Sequence, residues 1–164
     1  MTENREGKRK NDGRGRVLTI ENFFNMNERT VIKRTIKQAE KTTTGEIKVV
    51  VVQSSKLYGT VDDRAVVEFY EEGLDGTEAH TGFLIMISLD ERQIAVYAGR
   101  AINKKLSQDS LNGIVQTIAT GITLGQPVQG IVDGIGLAES VLAEYFPAGE
   151  DNKNEISNEI VLKQ

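Results

Sequence analysis

Two pairs of adjacent acids, Asp62-Asp63 and Asp90-Glu91, and two adjacent serines, Ser54-Ser55, carry oxygen ligands. Gathered in one place, such carboxylates and hydroxyls suit a hard cation, calcium or magnesium. Glu46, His80 and Arg100 form a second set with different chemistry. An arginine offers a charged fork to phosphate or carboxylate. A glutamate and a histidine beside it can act as acid and base. Plainer uses exist for all of them. Asp62 can cap a helix, Asp90 can shape a turn, Glu46 can pair with Arg100, and His80 can be a solvated loop residue.

The remaining inventory excludes several chemistries. With no cysteine there is no disulfide, thiolate metal site, cysteine nucleophile or iron–sulfur cluster. A single histidine rules out a histidine-rich metal site. There is no G-x-S-x-G elbow, no Walker A loop and no G-x-G-x-x-G turn. Residues 1–16 hold six Lys/Arg and three Asp/Glu, a net of +3, and the rest holds 14 and 21, a net of −7. An acidic body of this kind speaks against nucleic acid as a partner. No apolar stretch follows the first charges, so no signal peptide is expected. Residues 110–132 carry no formal charge but include three Gln, three Thr and Pro127. Two amphipathic helices account for that run better than a membrane span. A cytoplasmic monomer is expected.

The elements that must position the two sets follow from the periodicity. Residues 1–18 read as a disordered basic tail, 19–148 as one domain and 149–164 as a polar C-terminal tail. Asn25 and Glu28 fit a capping box, with Phe23 or Phe24 against the first turn. A helix is predicted over 26–43, with Ile32, Ile36 and Ala39 inward and Gly45 closing it. The run EIKVVVVQ, 46–53, reads as a fully buried strand. A second helix is predicted over 63–73, capped by Asp62 or Asp63. Strands at 82–89 and 93–99 flank the turn Asp90-Glu91-Arg92 and form a hairpin. A third helix is marked by Leu111, Ile114, Val115, Ile118 and Ile122, with Ser107 or Asp109 as its cap. Gly125 ends it, Pro127 starts a fourth, and Pro147 stops that one. The glycines of GITLG and GIVDG predict close packing between the last two helices. The stretch 149–164, with its cluster Ile160-Val161-Leu162, is either a frayed tail or a segment lying back on the domain.

This order gives an α/β fold with a small mixed sheet: a parallel strand–helix–strand crossover, an antiparallel hairpin, and helices on both faces. The carboxyl ends of the first two strands gather Ser54, Ser55, Asp62, Asp63, Asp90 and Glu91 on one edge, where open α/β sheets tend to bind ligands. The opposite edge gathers Glu46, His80 and Arg100.

Three segments, TTTGEIKVVVV, TGFLIMISLDERQIAVYAGRAI and AESVLAEYFP, resemble the TPM domain family of thylakoid-lumen, photosystem-repair and receptor-modulator proteins. The resemblance runs from about Phe24 to Pro147, and DNKNEISNEIV is similar to the ending of a soluble bacterial branch. It implies a three-layer α/β/α sandwich. The roles it implies are acid phosphatase activity, photosystem repair, divalent-cation binding or membrane-protein assembly. The family's recurrent positions fall on Gly45, Glu46, Gly82, Asp90, Arg92 and Gly99. Arg100-Ala101 stands where many relatives repeat an aromatic–glycine pair.

The expectation is a non-catalytic domain that binds a divalent cation, calcium or magnesium, through Asp62, Asp63, Asp90 and Glu91, with Glu46, His80 and Arg100 as anion-binding candidates. The alternatives are a metal-assisted acid phosphatase, with Arg100 or Arg92 steadying the transferred group, and an adaptor that binds another protein.

Overall fold

The structure is a computed structural model that describes residues 17–150 and 154–164. The expected disordered basic tail lies, up to Arg16, outside the described residues. Leu18 belongs to the domain, buried in its core.

Helix α1, Met26–Ala39, starts at the expected capping box: Asn25 accepts from the Glu28 N–H, and Glu28 accepts from the Asn25 N–H. It ends before residue 43 because Glu40 is its C-cap, and Gly45 plays no part in the stop. Strand β1, Glu46–Val52, is buried at every position. Helix α2, Val61–Glu71, is capped by Thr60 rather than Asp62 or Asp63; Asp63 completes the box by accepting from the Thr60 N–H. Strands β2, Gly82–Ser88, and β3, Gln93–Ala98, form the hairpin. A short helix α3, Arg100–Asn103, then precedes α4, Gln108–Thr123, capped by Ser107, and α5, Pro127–Tyr145. The C-terminal segment returns to the sheet as β4, Val161–Lys163.

The sheet order is β3-β2-β1-β4. β1 is parallel to β2 and to β4, with Glu46 opposite Gly82 and Val50 opposite Val161. Alternate residues of the central strands face opposite layers. Ile47, Val49, Val51, Phe83, Ile85 and Ile87 pack with α1, α4 and α5, while Val50, Val52, Leu84 and Met86 pack with α2. The layers are thus α/β/α. α4 and α5 touch backbone to backbone: a Cβ on Gly121 would lie 2.4 Å from the Gly130 Cα. Among the described residues, no helix is long and apolar enough to cross a membrane.

The returning segment, 154–164, runs along β1 from one end of the sheet to the other. Lys48, buried in β1, donates to the carbonyls of Ser157 (3.0 Å) and Glu159 (2.7 Å). Lys163 lies against Glu68, Glu71 and Glu72 of α2 and its C-cap at 2.7–3.2 Å. Ile156 and Ile160 pack into the two cores.

Candidate functional site

At the carboxyl ends of β1 and β2 the structure joins Ser54, Ser55, Asp90 and Glu91. Glu91 accepts from Ser54 Oγ (2.8 Å), the Ser55 N–H (2.9 Å) and Ser88 Oγ. Asp90 accepts from Gln53 Nε2 at 2.7 Å. Burial alone would raise the Glu91 carboxyl, but these donors outweigh it and hold the group below its ordinary range. Glu91 is therefore an ionised carboxylate already surrounded by donors. Asp62 stays in the first turn of α2, and Asp63 is used at the helix start. Among the described residues no three His, Asp or Glu side chains converge on a metal-sized point, so the four expected ligands do not meet as one set.

The amino edge is built differently. Glu46 enters β1 almost fully buried, and Glu40, at the end of α1, is buried beside it. Glu40 Oε2 accepts from the Ile47 N–H at 2.7 Å, and Glu46 Oε1 accepts from the Glu155 N–H at 2.8 Å. Asn154 reaches the two remaining oxygens. One terminal atom of its amide lies 3.1 Å from Glu46 Oε2, 3.1 Å from Glu40 Oε1 and 2.6 Å from the Ile156 carbonyl. With nitrogen there, all three contacts are hydrogen bonds. A hollow of about 170 Å³ opens beside them, rimmed by Lys37, Lys41 and Asn158.

Burial, and next the Glu46 charge, push the Glu40 carboxyl up to about 8. Burial also raises Glu46, while the backbone N–H groups of Glu155 and Ile156 pull it down. Two desolvated carboxyls in contact cannot both ionise cheaply, so they share one proton, held by Glu40.

His80 and Arg100 meet at this same edge, and Glu46 lies apart from them in the hollow just described. An Arg100 nitrogen is 3.1 Å from His80 Nε2. Neither the expected Glu46–Arg100 ion pair nor a grouping of all three forms. Leu74–Gly76 and the loop to His80 fold back over the strand ends: a Cβ on Gly82 would meet the Leu74 carbonyl at 2.4 Å, and one on Gly99 the His80 carbonyl at 2.5 Å. The closeness explains glycine at both positions.

Glu40 and Asn154 were not legible as site residues. The available signal was a glutamate and a lysine at alternate positions of a strand otherwise wholly apolar, since buried charges require partners.

The fold and these sites define a small α/β domain with acidic clusters at both ends of its sheet. The chain belongs to the TPM domain family, whose model matches residues 17–141. It is similar to the BA42 protein from the psychrophilic bacterium Bizionia argentinensis, with 33% identity and a TM-score of 0.80 over 88% of this chain and 98% of that one. The N-terminal domain of a P. gingivalis protein matches at 16% identity and TM-score 0.65, over 79% of this chain and 84% of that one. That of cg2496 from Corynebacterium glutamicum matches at 12% and 0.59, over 79% of each. These two share the fold alone. No curated protein matches.

Proposed function

We propose that the domain is a non-catalytic binding module for a divalent cation, calcium or magnesium, taken by Glu40, Glu46, the Asn154 amide oxygen and the Ile156 carbonyl. The carrying observation is the meeting of two buried carboxyls, Glu40 and Glu46, beside a hollow, with the Asn154 amide within 2.6–3.1 Å of both and of the Ile156 carbonyl. Ligand oxygens packed around calcium at 2.3–2.6 Å lie roughly 3 Å from one another. Two carboxylates, an amide and a carbonyl are the ligand types calcium accepts, and the hollow leaves room for water. Rotating the Asn154 amide exchanges a proton-bridged cluster for a cation-bridged one. The cation replaces the Glu40 proton, so binding tightens as pH rises toward 8.

Calcium titrations of the metal-free protein followed by amide NMR at pH 6 and 8 test this. The expected result is saturable shifts around residues 40, 46 and 154–156, stronger at pH 8, with an affinity loss of at least about tenfold in Glu46→Gln. Loss in Asp90→Asn with full affinity in Glu46→Gln would return the site to Asp90 and Glu91.

A metal-assisted acid phosphatase is the second reading, favoured because the cluster and the His80–Arg100 pair share one sheet edge. Two strand spacings, roughly 10 Å, separate them, more than a metal-bridged phosphoryl group spans. Phosphomonoester hydrolysis lost on both chelation and Arg100→Ala would promote this reading over the first.

A further inference from the structure

A second hollow, of about 390 Å³, lies on the α2 side of the amino edge, beyond the loop that ends at His80. Its size suits a small organic molecule. Phe69 and Tyr97 meet edge to face at 4.9 Å in its wall, and Tyr70 stands edge-on to Phe69 at 5.5 Å. Phe69 is buried, Tyr97 half-buried and Tyr70 54% exposed, so the aromatic surface open to a ligand is that of Tyr70 and Tyr97, backed by Phe69.

The charged group at its mouth is Arg100, with a nitrogen 3.1 Å from His80 Nε2. A guanidinium only donates, so His80 Nε2 stands on the acceptor side of that contact. No ion pair joins Arg100 to a carboxylate among the described residues. His80 is one of two non-glycine residues there with a left-handed backbone, φ 57°. Such strain persists where the surroundings impose it and clusters at ligand sites. Here it sets the imidazole against the guanidinium. Asp75 also lines the hollow. One full positive charge with a carboxylate nearby matches a single negative charge better than a double one.

We propose that this hollow binds a planar aromatic monocarboxylate, its carboxylate on the Arg100 fork and its ring against Tyr70 and Tyr97. The site is separate from the cation cluster and needs no metal. Arg and carboxylate match two bonds to two, and a flat ring offers the aromatic walls an edge or a face.

The experiment is an amide NMR titration of the full chain in chelator with four probes: benzoate, benzamide, acetate and phenylphosphonate. Benzoate is expected to give saturable shifts at residues 74–75 and 97–103, and to bind at least about fivefold tighter than the other three. Arg100→Gln should weaken benzoate about tenfold or more, and Tyr70→Ala a few-fold, with the rest of the spectrum unchanged because both side chains are exposed. Acetate equal to benzoate overturns the aromatic part. Phenylphosphonate tighter than benzoate overturns the monoanion. Absence of shifts in this region, or full affinity in Arg100→Gln, overturns the site.

Discussion

The two ends of one sheet hold carboxylates in opposite ways. At the carboxyl end, Glu91 is ringed by two serine hydroxyls and a backbone N–H, and Asp90 by an amide. At the amino end, Glu40 and Glu46 face each other, more deeply buried, and burial is the largest cause that raises both. Depth of burial and the neighbouring carboxyl decide the difference. A carboxylate that accepts several hydrogen bonds is held ionised and structural, whereas one pressed against another carboxyl takes up a proton or a cation. Acidic residues in a sequence do not announce which of the two they will be.

Removing Glu91 should give the largest stability effect. Glu91→Ala removes the acceptor of the Ser55 N–H and of Ser88 Oγ and leaves the two buried hydroxyls only each other, for a loss of about 3 kcal/mol in urea unfolding at pH 7. A loss under about 1 kcal/mol would break the contrast between the two ends.

The pH response should come next, with opposite signs at the two ends. Between pH 4.5 and about 8 the unfolded Glu40 has lost its proton while the folded one keeps it. Its contribution is therefore complete below pH 4.5 and disappears as pH rises through about 8. Glu91, held low in the fold, contributes above pH 4.5 and loses that contribution as pH falls through its folded value. The melting temperature of the calcium-free protein should drop by about 5 °C from pH 5 to pH 8. Glu40→Gln should flatten that limb. An equally steep limb in the variant would remove Glu40 as its source.

The smallest effect belongs to a charge pair outside both clusters. Lys33 and Glu159 are 48% and 58% exposed, so Lys33→Ala should leave urea unfolding almost unchanged. A larger loss would mean that the returning segment depends on surface charge as well as on Lys48 and the pairing of β4.

The main frame was legible because it is local. The capping box, the valine run of β1, the hairpin turn at Asp90-Glu91-Arg92 and the proline opening α5 each act within a few residues. The amino-edge cluster was not, because it joins Glu40 and Glu46 to residues more than a hundred positions later. Extending α1 to residue 43 hid Glu40 as an ordinary helix position, while the polar composition of 149–164 concealed Asn154. The four-residue α3 is too short to show a period, and β4 is helped into place by its partner β1.

The segment 154–164 has a further effect on how copies of this chain behave toward one another. β1 would be an edge strand without it, carrying Ile47 and four consecutive valines with unpaired backbone groups. A long, apolar, open edge recruits the same edge of another molecule and seeds aggregation. By pairing at Val50–Val52 and laying Ser157 and Glu159 beside Lys48, the end of the chain serves as a built-in guard against self-assembly.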